Sequence, residues 1–461
     1  MKNNTLNSTS KYHAIKVDPA KCFGCTHCMK VCPTEAIRIR NGLAVINDQR
    51  CVDCGNCMRV CPADAFYILQ DDLSRIYDFK YRVVLFPSVM IGQFPDHISE
   101  GQIYQALLQL GFTHVFEVEQ PIQWLIEAIR EYHRDHTDHR PLISSFCPAI
   151  VRLIQIKYPS LIDHIVLVKA PHDLAAHFAI EKLKQQGARE EEIGIFYVAP
   201  CSAKIVAVRR PLGEKESIVN GVINMNELYN RVMKVVSKEE PADNPACREH
   251  LTREGILWCL PRGEARLFKK RSMAIDGIHN VVKMLEKLEI DDVPEIDFLE
   301  LRSCDQSCAG GILLSGNRFL TVERLQRRSR HYPLAAESSP EQEIKEKVVG
   351  RLAADPIAPA QVFRLDADLA RAIEKMDKVN RIICQLPAID CGACGAPNCH
   401  ALAEDMVMGM AKMSDCIYLQ QRWQKEGKIT SNRAFSNLEK TWGEGRFEAD
   451  CNKKGARNEG F

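Results

Sequence analysis

The chain contains no long apolar run and carries almost no net charge. None of its 461 residues falls in a stretch of about 18 uninterrupted apolar residues, the length of a membrane-spanning helix, and the N-terminus has no signal-peptide-like segment. Lys and Arg (61) nearly balance Asp and Glu (60), so no overall field would attract nucleic acid or an anionic membrane. We therefore expect a cytoplasmic protein that recognises its partners at particular sites.

Cysteine, in contrast, is abundant. The chain has 20 cysteines, and most of them fall in groups separated by two-residue spacers. Disulfides are rare in a reducing compartment, so such groups favour metal ligation. The 46% of hydrophobic residues are enough for roughly two to four domains with cores of their own.

Two cysteine quartets near the N-terminus form an internal repeat, CFGCTHCMKVCP and CVDCGNCMRVCP. In a CxxCxxCxxxCP run the fourth cysteine binds the cluster of the other run. We expect two [4Fe–4S] clusters, the first held by Cys22, Cys25, Cys28 and Cys61 and the second by Cys51, Cys54, Cys57 and Cys32. Zinc is the alternative, but zinc gives no reason for the doubled CP ending. The pattern resembles a bacterial two-cluster ferredoxin over about residues 13–75.

A third cysteine group lies late in the chain, in IDCGACGAPNCHALAEDMVMGMAKMSDC. Its glycines and proline suit a tight loop, and the residues after the third cysteine have a helical pattern. The segment resembles a single-cluster [4Fe–4S] domain found in several anaerobic redox proteins, and a zinc knuckle is the alternative. The expected ligands are Cys391, Cys394, Cys399 and Cys416.

Between these groups, strand-like apolar runs alternate with helical patterns. The predicted strands are 81–89, 113–118, 164–170 and 192–200, and the predicted helices are 174–187 and 276–288. This alternation predicts an α/β domain with mostly parallel sheets, between an α+β two-cluster ferredoxin domain and a small helical domain. Sites in such folds lie where strands end in loops. Three such segments, SSFCPAI, VAPCSAK and ELRSCDQSCAGG, carry thiols, and they could together surround one more cluster.

The three segments resemble, in the same order, the three active-site motifs of [FeFe] hydrogenases. The resemblance covers roughly residues 15–420, and the added late cysteine domain is similar to the sensory branch of that family. It implies that the [4Fe–4S] half of the active cluster, the fourth such cluster in the chain, is held by Cys147, Cys201, Cys304 and Cys308. It further implies a diiron half with CO and cyanide ligands, bridged by Cys308. Scattered buried cysteines are the alternative.

The resemblance also implies roles around the diiron half. Lys204 would donate to a cyanide, although an ordinary salt bridge is the alternative. Ser88 would face a cyanide with its hydroxyl and backbone. Gly310 and Gly311 would allow the backbone to approach the cofactor, or would simply form a turn.

The departures from the family pattern concern proton transfer. Phe146 stands where high-turnover members have a cysteine that shuttles protons, and phenylalanine cannot do this. Elsewhere Ala207 replaces a glutamate and Arg302 replaces a methionine, while Ile150 and Ala199 replace a tryptophan and a methionine. Losing one general acid or base commonly costs about 10²–10⁴ in rate. We therefore expect weak activity.

The sequence suggests six segments and several partners. The segments are a disordered tail (1–12), the ferredoxin domain (13–75), the hydrogenase-like domain (76–325), a linker (326–360), the single-cluster domain (361–420) and a helical or disordered tail (421–461). Sensory relatives often add a PAS domain, for which no room remains after 420, so output would pass to a separate kinase, phosphatase or redox partner such as ferredoxin. H2 or protons would be the small ligand. Four thiols lie outside all motifs and are interpreted as structural or incidental: Cys247, Cys259, Cys384 and Cys451.

These expectations leave three functions open. The first is a redox or H2 sensor with low hydrogenase activity that relays electrons through its clusters. The second is a ferredoxin-linked catalytic hydrogenase subunit with a rebuilt proton route. The third is an electron-transfer or assembly protein that holds only [4Fe–4S] clusters and is not an enzyme.

Overall fold

The computed structural model describes residues 12–237, 251–268, 271–334, 341–360, 362 and 365–447. The predicted tail 1–12, apart from Tyr12, lies outside these ranges, as do Cys247, Cys451 and the last residues of the predicted C-terminal tail. No helix in the described ranges has both the length and the apolar composition needed to cross a membrane.

The described residues contain short strands throughout. They are β1 (Ile15–Val17), β2 (Ile37–Arg40), β3 (Leu43–Ile46), β4 (Phe66–Ile68), β5 (Tyr81–Phe86), β6 (His114–Glu117), β7 (Leu142–Ile143), β8 (Ile193–Ala199), β9 (Gly221–Asn224), β10 (Ser272–Asp276) and β11 (Phe298–Arg302).

The helices range from a single turn to four turns. They are α1 (His27–Lys30), α2 (Asn56–Arg59), α3 (Glu100–Gln109), α4 (Ile122–Asp135), α5 (Pro148–Lys157), α6 (Pro171–Gln185), α7 (Ser202–Arg209), α8 (Met225–Val236), α9 (Arg253–Trp258), α10 (Ile278–Glu289), α11 (Arg318–Ser329), α12 (Gln342–Val349), α13 (Leu369–Ile383), α14 (Cys399–Val407), α15 (Ile417–Lys425) and α16 (Ser431–Trp442).

The larger of two compact units comprises residues 52–54 and 70–359. Its two sheets have the strand orders β6-β5-β8-β9 and β10-β11-β7, and every pairing in them is parallel. Strand β8, IGIFYVA, is buried at all its positions, as expected for a strand covered on both faces. The predicted α/β domain with parallel sheets is therefore confirmed.

Two segments of this unit differ from the sequence-based expectation. The predicted strand 164–170 forms only isolated bridges, Ile143 with Ile165 and Val168 with Ala353. The predicted linker 326–360 contains α12, whose Ile344 and Val348 are buried. The backbone after α12 also bonds to the unit, since the Lys169 N–H donates to the Leu352 carbonyl at 2.8 Å. Apolar residues spaced four apart within a charged segment explain this packing.

The smaller unit comprises residues 1–51, 55–69 and 360–461, so the ferredoxin-like and C-terminal regions belong to one compact body. Strands β1 and β4, and β2 and β3, pair antiparallel. Backbone bonds join β2 to the C-terminal region: the Ile39 N–H donates to the Gly395 carbonyl at 2.9 Å, and the Asn41 N–H to the Lys440 carbonyl at 3.0 Å. A Cβ added at Gly395 would lie 2.3 Å from the Ile39 carbonyl oxygen, so the approach requires glycine.

A buried carboxylate connects these two regions of the smaller unit. Asp405 on α14 accepts from Arg38 at 2.7 and 3.0 Å and from Arg40 at 3.0 Å, and it is 3% exposed. Two-point contact with a guanidinium is among the stronger protein hydrogen bonds.

We expect Asp405→Asn to lower the free energy of unfolding by about 3 kcal/mol, because it leaves two half-buried guanidinium groups without their counter-charge. Anaerobic denaturant titration, followed by loss of cluster absorbance, measures this. The matched control is Glu374→Gln, which breaks the exposed pair with Lys378 and should leave the free energy of unfolding nearly unchanged, because solvent screens this pair. Equal losses in the two variants would contradict the role given to Asp405.

Candidate iron–sulfur and active-cluster sites

The first predicted cluster set converges in the smaller unit. Burial, together with the charges of Cys25, Cys22 and Cys61, raises the pKa of Cys28 to about 12. Burial likewise raises the pKa of Cys25, and the charges of Cys61 and Cys22 add to this. These thiols are therefore electrostatic neighbours, although Cys61 is distant in sequence. Such mutual destabilisation of thiolates is the situation that a bound metal cluster relieves.

The repeat extends to hydrogen bonds at the fourth cysteine of each run. The Ala36 N–H donates to Cys32 Sγ at 3.2 Å, and the Ala65 N–H donates to Cys61 Sγ at 3.4 Å. The shared sequence signal is the alanine four residues after each of these cysteines. Backbone donors to sulfur stabilise a thiolate ligand. The second predicted set stays a prediction, since Cys54 is grouped with the larger unit and the other three with the smaller.

The late cysteines converge in the same way. Burial raises the pKa of Cys394 to about 11, with contributions from Cys391 and Cys416, and burial together with Cys399 and Cys391 raises that of Cys416. Cys399 begins α14 and Cys416 immediately precedes α15. Helix N-termini favour negative charge, so both thiols lie where a thiolate is stabilised.

We expect Cys394→Ala to lower the iron and sulfide content of anaerobically reconstituted protein by one cluster, because one of four converging ligands is lost. Cys384→Ser is the matched control, because Cys384 is exposed and precedes the group by only a few residues. An unchanged iron content in Cys394→Ala would argue against a cluster at this position.

In the larger unit, two predicted ligands precede helices that follow strands. Cys147 immediately precedes α5, whose first residue is Pro148, and Cys201 immediately precedes α7, two residues after the end of β8. Proline at the first helical position fixes the start of α5. The two thiols therefore meet the positive ends of two helices.

Cys308 lies near both of these thiols electrostatically. Burial raises the pKa of Cys201 to about 12, and Cys308 and Cys147 add to this while Lys204 opposes it. Burial also raises the pKa of Cys308, against the lowering by Lys204 and Arg302. Three of the four predicted ligands are thus brought together.

The fourth predicted ligand, Cys304, begins a tight loop that ends at Cys308. The backbone at Gln306 and Ser307 is left-handed, with φ of 63° and 51°, which is uncommon for residues other than glycine. Asp276 holds this loop, since it accepts from the Ser307 N–H at 3.0 Å and from the Ser307 hydroxyl at 3.1 Å. Unusual backbone of this kind clusters at functional sites.

The two glycines after Cys308 have a clear steric reason. A Cβ at Gly310 would lie 1.9 Å from the Asp305 carbonyl oxygen, and one at Gly311 would lie 2.4 Å from the Pro200 carbonyl oxygen. Both glycines therefore approach the protein's own backbone closely. This fits the simple turn that the sequence analysis gave as the alternative to cofactor contact.

Phe146 lies between cationic side chains. Lys204 Nζ is 3.8 Å from the centroid of its ring, and the guanidinium carbon of Arg302 is 3.9 Å from it. Trp258 meets the ring edge-on, at 6.3 Å between centroids. Phe146 is 6% exposed, so these cation–π contacts are desolvated and each contributes on the order of 2 kcal/mol.

Lys204 remains a cation in this pocket. Burial alone would lower its pKa, but Cys308, Tyr197 and Cys201 outweigh burial and the pKa is raised. The role predicted for Lys204 stays a prediction.

Arg302 is anchored by two buried carboxylates that the sequence did not single out. Its Nη2 donates to Glu264 at 2.6 Å, and its Nε lies 3.4 Å from Glu300. Glu300 also accepts the backbone N–H groups of Glu264 and Ala265 at 2.9 and 2.8 Å. Glu300 and Arg302 are two residues apart in β11, a spacing that places them on one face of the strand. No comparable signal links the distant Glu264 to them.

Ser88 is buried, and its polar groups already have protein partners. Its N–H donates to Glu119 at 2.8 Å, and its hydroxyl lies 3.3 Å from Cys259 Sγ. The Cys259 carbonyl in turn accepts the Cys308 N–H at 3.1 Å. Cys259, which the sequence presents as a structural thiol, therefore lies beside the candidate active cluster. The role predicted for Ser88 stays a prediction.

Family models match three parts of the chain. Residues 14–72 match a 4Fe–4S dicluster domain, 82–240 match the C-terminal domain of the iron-only hydrogenase large subunit, and 386–418 match an Fe–S cluster family. Cys147, Cys201 and Lys204 lie within the second match, and Cys304 and Cys308 lie beyond it.

Among curated proteins, the periplasmic [Fe] hydrogenase large subunit of Nitratidesulfovibrio vulgaris is 30% identical over 224 residues, 44% of this chain and 52% of that protein. Iron hydrogenase 1 of Clostridium pasteurianum is 26% identical over 32% of this chain and 28% of that protein. The chain spans about half or less of the length of these relatives. A solved [FeFe]-hydrogenase variant from Chlamydomonas reinhardtii is 18% identical, with a TM-score of 0.49 over 62% of this chain and 98% of that chain.

The fold and the converging thiol groups define an iron–sulfur protein with ferredoxin-type domains and an α/β domain. Its middle part is similar to the large subunit of [FeFe] hydrogenases, as its motifs predicted.

Proposed function

We propose that this hydrogenase-like protein is a redox or H2 sensor with weak hydrogenase activity, which relays electrons through four [4Fe–4S] clusters. The observation that carries the proposal is the environment of Phe146. The residue is enclosed by Lys204, Arg302 and Trp258, and it offers no ionisable group where high-turnover relatives carry a proton-shuttling cysteine.

The residues around Cys308 suit a diiron group with anionic ligands. The buried donor atoms that have no hydrogen-bond partner within the described ranges include Tyr197 Oη, Trp258 Nε1 and Arg302 Nη1, of which the last two belong to side chains that contact Phe146. Buried donors without partners are rare and call for an explanation. Cys308 would hold the group, and Lys204 would donate to one of its cyanides. When bound, such a group supplies the interconversion of H2 with protons and electrons.

The first experiment is infrared spectroscopy on protein coexpressed with the hydrogenase maturation machinery and purified anaerobically. We expect bands from iron-bound CO and cyanide, because the cysteine set and the buried donors fit a diiron group. Protein made without that machinery is the control. A matured protein with all its [4Fe–4S] clusters but no such bands would instead favour the electron-transfer or assembly function.

Phe146→Cys should raise H2 evolution well above wild type, by up to about 10²-fold, because it restores a proton-transfer group beside the cluster. Phe146→Ala is the matched control, since it opens the same space without supplying a thiol. H2 production from a chemical reductant measures both variants. An equal gain in Phe146→Ala would assign the slowness to the bulk of the ring, and no gain in either would favour a proton route elsewhere.

One observation favours the second function, a catalytic subunit with a rebuilt route. Cys259, Ser88 and Glu119 form a continuous series of contacts beside Cys308, and burial raises the pKa of Glu119 to about 7. A carboxyl group with this pKa exchanges protons at neutral pH. Under this function, wild-type turnover would already be high and Phe146→Cys would add little.

The proposed partners follow from the clusters. A ferredoxin-type protein would exchange electrons, and a separate kinase or phosphatase would receive the signal. The proposed location is the cytoplasm, although the relative from Nitratidesulfovibrio vulgaris is named as periplasmic.

A further inference from the structure

We propose that Arg302 is a second cationic donor to the diiron group, in which its Nη1 donates to a cyanide ligand. This inference rests on the proposed function, because it requires that the diiron group be present. It assigns a role to a residue that departs from the family pattern.

The first step is the inventory of the guanidinium's donors. Nη2 donates to Glu264 at 2.6 Å and Nε lies 3.4 Å from Glu300. Nη1 is buried and has no hydrogen-bond partner among the residues that the structure describes. A guanidinium presents its donors in a rigid fork, so the two carboxylates that fix Nη2 and Nε also fix where Nη1 lies.

The second step is the position of Arg302 relative to the cluster thiols. Arg302 lies two residues before Cys304, and Phe146, whose ring it contacts, directly precedes Cys147. Arg302 and Lys204 also contact the same Phe146 ring at nearly equal distances. The arginine therefore belongs to the pocket that holds the lysine and Cys308.

The third step is the energetics of burial. Arg302 is 2% exposed, and Glu264 and Glu300 are 2% and 0% exposed. A buried ion pair is often no more stabilising than well-packed apolar residues, and an unsatisfied buried donor costs about 1–3 kcal/mol. A methionine, the usual residue here, would avoid both penalties. A ligand that accepts a hydrogen bond from Nη1 explains why an arginine, and not a methionine, occupies this position.

The experiment compares infrared spectra of matured wild type, Arg302→Met and the double variant Arg302→Met with Glu264→Gln. The double variant removes one buried carboxylate together with the arginine, so the loss of the cation does not leave both acids unbalanced. Arg324→Met is the control, because Arg324 donates only to the carbonyls of Gly92 and Gln93 among the contacts described for it. Iron and sulfide content verify that the [4Fe–4S] clusters remain.

We expect one cyanide band to shift resolvably in both Arg302 variants, more than the other bands, and no band to shift in Arg324→Met. Loss of the CO and cyanide bands with intact [4Fe–4S] content would likewise support Arg302 as a group that holds the diiron site. Unchanged bands, or equal shifts of all bands, would overturn the inference and leave the proposed function standing. Loss of the [4Fe–4S] clusters in both variants would assign Arg302 a structural role and also overturn it. Absence of the bands from wild type would overturn the diiron proposal itself.

Discussion

The structure of the larger unit depends on one electrostatic constraint, the convergence of thiol groups in a buried pocket. Burial raises the pKa of Cys201 and of Cys308, Cys147 adds to both shifts, and Cys308 adds to that of Cys201. Thiolate ligands become favourable there only with positive charge nearby. The fold supplies that charge in two ways: helices α5 and α7 begin at the capping cysteines, and Lys204 and Arg302 reach the same pocket. The parallel sheets make this possible because their strands end at a common edge, where loops and helix N-termini meet.

The sequence predicts the parts of this arrangement that are encoded locally. Cysteine spacing and the alternation of apolar runs with helical patterns indicated the cluster motifs and the α/β class, since both signals lie within short windows. Cys259 gave no such signal. It stands alone in LWCLP, and its place beside the pocket arises from contact with Ser88, 171 residues away. The anchoring of Arg302 by Glu264 is likewise tertiary, because these two residues are 38 positions apart and meet only after the chain has folded.

In the smaller unit, too, the sequence does not predict which distant segments contact each other. Nothing in the motif around Cys394 indicates that the neighbouring Gly395 carbonyl accepts a hydrogen bond from β2. Backbone pairing of this kind leaves little trace in sequence except the glycine that the close approach requires. In the larger unit, the spacing of Ile344 and Val348 is typical of a helix. The charged, proline-containing composition of the segment nevertheless led to the prediction of a linker. The apolar run 164–170 was predicted as a strand but forms only isolated bridges. Apolar composition does not specify which strand edge is free to pair.

Phe146 gains a different meaning once its neighbours are known. As a motif position, it stands where high-turnover relatives have a cysteine, and so it lacks a group that transfers protons. In the structure, two buried cations contact its ring, and like charges in one pocket repel each other strongly because the local dielectric is low. An aromatic face attracts both cations without adding an ionisable group, which a thiol would not do. The ring therefore helps the pocket to hold both Lys204 and Arg302. Under the proposed function, the loss of proton transfer and the gain of a fixed positive charge would be two consequences of one change in the site.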